Sequence, residues 1–399
     1  MTTYLSSVIR LVHDSRSSYC KYISANDTGK TGGHQSGFYV SKEAAKELFS
    51  CDCIKGTNED RRFEIEWPDG TITQSRFVYY GQGTRDESRI TKFGRGFEYL
   101  NEDYCGCLLI LSKIDNNYFK ASILSSDDDI ESFSTQFNLP ASFKCYVING
   151  DYASINEKAS ILDSILQEIV TRYHSFPKGS EMARFAQESY NLANHISTST
   201  VIARPDDILL RWLDTESRLF YLLEDKICRQ LISKQFDSIE DFTQTAKIVL
   251  NRRKARAGKS LERHLAQIFR YNELLFEEQC ITEENKKPDF IFPGEEEYHN
   301  LLFPANDLVF LGAKTTCKDR WRQVLNEADR ISIKYLFTLQ QGISSNQLLE
   351  MSSYNVRLVV PKDNLSSFPR EFQSSINCLA SFISIVREKQ SRHQHLVMF

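Results

Sequence analysis

Pro288-Asp289-Phe290-Ile291-Phe292, then Asp307-Leu308-Val309-Phe310-Leu311-Gly312-Ala313-Lys314, then Glu327 thirteen positions further on, form the stretch that decides the fold. Both apolar runs are short, rich in aromatic or β-branched residues and bounded by turn formers, so they read as buried strands. Asp289 opens one strand and Lys314 closes its neighbour, which brings the two side chains to one edge of a sheet. Downstream the pattern alternates. Asp319 to Ile331 reads as a helix, Lys334–Thr338 as a strand and Ser344–Ser352 as a helix. Val356–Val360 is a strand stopped by Pro361, and a last helix is expected from about Arg370 to Lys389. Strands alternating with helices predict a sheet with helices on its faces.

Upstream of this unit the chain reads as helical, over roughly 180–194, 206–234, 238–251 and 258–276. A helical repeat at Ile161, Ile165 and Ile169 within Glu157–Tyr173 precedes a break at Phe176-Pro177-Lys178-Gly179. The first 150 residues differ in character and read mainly as β. Phe63–Trp67 and Thr71–Tyr80 flank Pro68-Asp69-Gly70 as a hairpin. Cys107–Ile114 and Tyr118–Leu124 form a second pair around Asp115-Asn116-Asn117. One helix from the N-cap Ser41 to Phe49 interrupts them. Two domains are expected, residues 1–155 and 178–399, joined through 156–177.

The 399 residues are 41% apolar and 26% charged, enough for two packed cores and far from a disordered composition. A net charge of −4 argues against a histone-like nonspecific DNA binder, but leaves room for a site-specific one with local basic patches. The chain shows no signal-peptide pattern and no apolar run approaching the roughly 18 residues of a membrane span. Ten irregularly spaced cysteines suit free thiols in a reducing bacterial cytoplasm. Cys51-Asp52-Cys53 and Cys105-Gly106-Cys107 are close pairs, but no histidine stands beside either to complete a zinc site.

Asp289, Lys314 and Glu327 are residue types suited to phosphodiester hydrolysis. Such a reaction needs a positioned water, a stabilised pentacovalent charge and a stabilised leaving oxygen, which Mg²⁺ ions can supply. Mg²⁺ takes one or two carboxylates plus water and phosphate oxygens, and Asp289 and Glu327 could provide them. Lys314 could orient or deprotonate the water, or neutralise the phosphate. In the usual Pro-Asp…(Asp/Glu)-x-Lys arrangement the second acid stands two residues before the lysine. Here that place is Gly312, so Glu327 on the following helix is expected to replace it, with Glu262 a further candidate. The same residues would also fit a strand cap and two surface charges. Two basic clusters favour the nuclease reading. Asn251 to Lys259, with Arg252, Arg253 and Lys254, is expected to end at a helix N-terminus, where phosphate binds readily. Lys318-Asp319-Arg320-Trp321-Arg322 adjoins the lysine and is chemically fit to read C·G pairs, Arg and Lys on guanine and Asp on cytosine.

Five blocks, residues 24–29, 31–35, 251–261, 285–290 and 314–328, resemble the EcoRII-type restriction endonucleases, in the same order and at both ends of the chain. The resemblance implies an N-terminal DNA-binding pseudobarrel that acts as an effector domain. It implies a C-terminal α/β domain of the restriction-endonuclease fold, a variant of the PD-(D/E)XK type. Carried over by motif, the active site is Glu262, Asp289, Lys314 and Glu327, and the base-reading segment is Lys318, Asp319 and Arg320. His34, Tyr39, Arg85, Glu87 and Arg89 match effector contacts, whereas Gly83 and Ser88 stand where the family carries lysines. The family cuts double-stranded DNA at 5′-CC(A/T)GG as a homodimer with Mg²⁺, and requires a second copy of the site on the effector domains. Close relatives flip out the central base pair. A DNA-binding regulator without cleavage, or a nuclease of DNA repair, would share parts of this pattern. The presence of both Asp289 and Lys314 argues against the former.

Overall fold

The computed structural model describes residues 3–30, 36–149, 161–233 and 235–394. The N-terminal half runs α1 (Thr3–Asp14), β1 (Ser17–Tyr22), β2 (Phe38–Val40), α2 (Lys42–Phe49), β3 (Asn58–Glu66), β4 (Ile72–Tyr80), β5 (Glu87–Thr91), β6 (Leu108–Lys113), β7 (Tyr118–Leu124), α3 (Asp127–Gln136) and β8 (Cys145–Asn149). Its eight strands form one sheet in the order β2-β5-β4-β3-β7-β6-β1-β8. The β3–β4 hairpin turns at Pro68-Asp69-Gly70, where Gly70 takes φ +82° and the Trp67 N–H donates to the Thr71 carbonyl at 2.8 Å. One face of the sheet closes over an aromatic core in which Phe49 stacks on Phe77 at 4.3 Å beside Phe63 and Phe119. The other face buries Leu5 and Val8 of α1 and Phe133 of α3 against Cys20 and Ile110. The sequence reading did not anticipate α1, β1 or α3.

The second half runs α4 (Ile161–Arg172), α5 (Gly179–Ala193), α6 (Thr198–Ala203), α7 (Pro205–Ile232), α8 (Ile239–Tyr271), β9 (Glu277–Glu278), β10 (Phe290–Phe292), α9 (Glu295–His299), β11 (Val309–Lys314), β12 (Lys334–Thr338), α10 (Ser345–Ser353), β13 (Val356–Val360), β14 (Asn377–Cys378) and α11 (Leu379–Gln394). The sheet order is β14-β13-β12-β11-β10-β9. Strands β11 to β14 are parallel, and β10 and β9 return antiparallel on the edge. Trp212, Leu265, Phe269 and Phe382 pack on one face against Phe290, Phe292 and Leu311. Trp321, Val324, Leu348 and Met351 cover the other against Ile291, Phe310 and Leu336. Each large side chain so buried contributes about 1.5–3 kcal/mol. Among the described residues no helix is long and apolar enough to cross a membrane.

Four expectations change. The helices read at 238–251 and 258–276 are one continuous α8, because Gly258 costs only about 1 kcal/mol within a helix and the flanking arginines are anchored on α7. Asp319–Ile331 is not an α-helix but a 3-10 run at Arg320–Asn326. Trp321 and Val324, both fully buried, are three apart, and 3-10 geometry places such residues on one line. The last helix begins at Leu379, where the Asp206 carboxylate accepts the N–H groups of Leu379 and Ala380 at 2.8 and 3.0 Å. The fourth is one of placement only: the helix read within Glu157–Tyr173 is α4, and its Leu166 and Val170 pack against Leu219 and Leu223 of α7.

Candidate active site

Asp289 immediately precedes β10 and Lys314 ends β11, as their strand positions require. The Asp289 carboxylate is nearly buried. Its Oδ2 accepts the Ala313 N–H at 2.8 Å and the Lys314 ammonium at 3.1 Å, and its Oδ1 accepts the Gln279 amide at 3.0 Å. Gly312 stands where the usual pattern has its second acid, and no side chain fits there. A Cβ there would lie 2.9 Å from Val324 Cγ1, so the 3-10 run packs where a carboxylate would otherwise point. That run delivers Glu327 instead, as its C-cap, with extended backbone at φ −100° and ψ 141°. Glu327 is therefore a residue of a helix end and not of a helix face.

Burial pushes the Glu327 carboxyl up to about 7, with the Asp289 charge adding to the rise and Lys314 opposing it. Glu262, on α8, is raised as well, by burial and then by Asp289, against a hydrogen bond from Lys259 at 2.9 Å. The Gln279 amide also lies 3.5 Å from Glu262. Both carboxyls are raised in part by the Asp289 charge, a local shortage of positive charge that a divalent cation would relieve. Among the described residues no three Asp, Glu, His or Cys side chains converge on one point.

The base-reading candidates are engaged by the N-terminal half. The Asp127 carboxylate accepts the backbone N–H groups of Asp319 and Arg320 at 2.6 and 3.1 Å, and Asp319 accepts the Asp127 N–H at 3.2 Å. Arg320 pairs with Asp128 and Glu131, and Lys318 donates to Cys107 Sγ at 2.8 Å. Arg322 turns away, to Glu350 at 2.6 Å and over the Trp321 ring. The space bounded by Glu262, Lys314, Arg320 and the α3 residues Glu131 and Thr135 is only about 170 Å³. A duplex with a major groove about 12 Å wide cannot enter it.

The first basic cluster is mid-helix, so it offers no free helix N-terminus for phosphate. Arg252 stacks on Phe176 at 4.2 Å. Arg253 joins Glu224 at 2.7 Å and donates to the α3 carbonyls of Thr135 and Gln136 at 3.2 and 2.7 Å. Lys254 is exposed. In the N-terminal half, Tyr39 is exposed on β2, its N–H held by Asp27 at 2.9 Å. Arg85 is exposed and lies over the Tyr80 ring. Arg89 is buried against Glu87 and the Gly37 carbonyl. His34 lies outside the described residues.

Sequence reasoning missed Gln279 and the acidic α3. Gln279 carries no motif. Helix α3 did carry a signal, Ser126 followed by Asp127-Asp128-Asp129, and Ser126 does accept the Asp129 N–H at 3.2 Å as its N-cap.

Residues 13–147 match the family described as restriction endonuclease EcoRII, N-terminal, and residues 220–383 match the EcoRII C-terminal family. The Type II restriction enzyme EcoRII of Escherichia coli is 36% identical over 389 residues, covering 92% of this chain and 93% of that enzyme. Among solved structures, metal-depleted Ecl18kI in complex with uncleaved, modified DNA is 18% identical with a TM-score of 0.46, over 57% of this chain and 84% of that one. The PspGI–substrate DNA complex is 14% identical with a TM-score of 0.43, over 56% and 98%.

Proposed function

The chain belongs to the EcoRII family of type II restriction enzymes, and from that premise we propose that it cuts double-stranded DNA at a CC(A/T)GG-like site with Mg²⁺, under control of a second copy of the site. Residues 1–155 form the effector unit and 178–399 the catalytic unit, together with α4 from the stretch between them. The observation that carries the reading is the meeting of Asp289 and Lys314 at the ends of adjacent strands, with Glu327 electrostatically coupled to both. Asp289 and Glu327 would hold the cation, with Glu262 beside them, and it would supply positive charge for the attacking and leaving oxygens. Asp289 also fixes the Lys314 ammonium, which is then placed to orient the attacking water and neutralise the phosphate. Two active sites are needed to cut both strands of a two-fold symmetric site, so the working form is a homodimer. Its substrate is the DNA of the bacterial cytoplasm. The test is digestion of a sequenced plasmid with Mg²⁺ followed by end mapping. Ends scattered over many sequences would refute site-specific cleavage.

Readout is assigned to Lys318, Asp319 and Arg320, and general phosphate attraction to Lys254. In a chain lacking the effector unit, Arg320→Ala is expected to cost about 1–3 kcal/mol and to relax discrimination at one base pair. Equal weakening on every sequence would refute the assignment. Lys254→Ala is expected to weaken binding to all duplexes alike and to reduce the salt slope by about 1, measured by titration at several salt concentrations. The effector unit is left out because Arg320 also anchors the closed form, and its loss there would loosen closure as well.

A further inference from the structure

Glu327 sits on a turn that needs external support. After the 3-10 run it is extended, and Ala328 follows at φ +52°. A residue with a Cβ holds a left-handed conformation only where its surroundings impose it, and such positions gather at functional sites. Four side chains impose it here. The Lys334 ammonium donates to the carbonyls of both Glu327 and Ala328. The Glu283 carboxylate accepts the Asp329 N–H at 3.2 Å and the Tyr298 hydroxyl at 2.6 Å. The Tyr298 oxygen accepts the Arg330 N–H at 3.4 Å. The Arg330 guanidinium donates to the carbonyls of Glu297, Tyr298 and Phe303. Of the four, Lys334 is the one that bonds Glu327 itself.

Lys334 is a costly choice for a merely structural position. It opens β12, is only 5% exposed and lies over the Phe310 ring. A buried ammonium is retained where its hydrogen bonds are worth more than its hydration. Its partners are the Glu327 carbonyl, just past the end of the 3-10 run, and the Ala328 carbonyl, which also accepts the Ile331 N–H at 2.9 Å. We propose that Lys334 is the positioning residue for Glu327, holding the left-handed turn that aims this relocated acid at Asp289 and Lys314. The proposal rests on the reading of Glu327 as an active-site residue.

Lys334→Met keeps the length and apolar packing of the side chain and removes its donors. Loss of a group that orients a metal ligand costs about 10–100-fold in metal affinity or activity. In the full-length protein, Mn²⁺ binding followed by calorimetry without DNA is expected to weaken by about tenfold or more. With an activating duplex present, the Mg²⁺ concentration giving half-maximal cleavage is expected to rise by a similar factor. DNA binding in a metal chelator is expected to stay at the wild-type level. Lys334→Gln retains an uncharged donor group and is expected to fall between the wild type and Lys334→Met, which keeps the test decisive should Lys334→Met fail to fold. Wild-type Mn²⁺ affinity and Mg²⁺ dependence in both variants would overturn the proposal. Glu327→Gln, measured in parallel, separates the two readings. Wild-type cleavage by Glu327→Gln refutes the active-site assignment, whereas inactive Glu327→Gln beside unimpaired Lys334 variants refutes the positioning role alone.

Discussion

Asp289→Ala is expected to abolish DNA cleavage while leaving specific binding in place. Its carboxylate is the group at which β10, β11 and the edge strand meet, through the Ala313 N–H, the Lys314 ammonium and the Gln279 amide. Removing it takes away a proposed metal ligand and frees Lys314. A bound cation and an oriented ammonium are worth several kcal/mol to a phosphoryl transition state. A loss of about 4 kcal/mol is roughly a thousandfold in rate. Alanine also leaves the buried Ala313 N–H without its acceptor, which costs about 1–3 kcal/mol of stability. Asp289→Asn separates the two effects, because the amide oxygen can still accept from Ala313 while the charge is gone. Both variants should show rates at least about a thousandfold down in single-turnover cleavage, and only the alanine variant should show a clearly lower melting temperature. Binding to a site-bearing duplex in Ca²⁺ should survive in both. Cleavage by Asp289→Asn at anything near the wild-type rate would remove Asp289 from the active site.

What could be read from the sequence was what local pattern determines. The hairpin around Pro68-Asp69-Gly70 and the strands bearing Asp289 and Lys314 were legible because alternation, turn residues and bounded apolar runs are local signals. That Gly312 offers no side chain where the usual pattern has its second acid was legible too. The reason for it was not, because Val324 approaches Gly312 only in three dimensions. The 3-10 run was read as an α-helix because Trp321, Val324 and Leu325 satisfy both periods. Helix α11 was started too early because its N-terminal cap is Asp206, supplied from α7 and distant in the chain. Helix α1 had a usable signal in Leu5, Val8 and Val12, all buried on one stripe. The basic run from Arg252 to Lys259 was read as ending at a helix N-terminus, whereas it lies within α8, with Arg252 and Arg253 packed on Phe176 and Glu224.

Removing the N-terminal unit is expected to turn a one-site plasmid from a poor substrate into a good one. In the closed form, α3 lies against the segment assigned to base reading. Asp127 takes the N–H groups of Asp319 and Arg320, and Asp128 and Glu131 take the Arg320 side chain. These carboxylates occupy donors of the segment proposed to read bases. Arg253 fastens the other end of the same helix by its C-terminal carbonyls, a favourable place for a cation. A closed form preferred a hundredfold needs about 2.8 kcal/mol. Several contacts of about 1 kcal/mol or less each can supply that together, and no single exposed pair can. Asp128→Ala should therefore open the enzyme only partly, a few-fold in rate on one-site DNA. A chain beginning at Ile161 should be at least about tenfold faster than the full-length protein on that plasmid, and equally fast on one-site and two-site plasmids. Starting there keeps α4 on its partners Leu219 and Leu223, so the second sheet retains its own cores. Effector DNA can activate the full chain only by binding the open form more tightly than the closed one. Arg85→Ala should therefore reduce activation by an added site-bearing duplex and leave the shortened chain's chemistry untouched. Because Gly83 and Ser88 replace two lysines, effector binding should be measured first at low salt, where attraction to phosphate is strongest. Equal full-length rates on one-site and two-site plasmids under those conditions would rule out control by a second site.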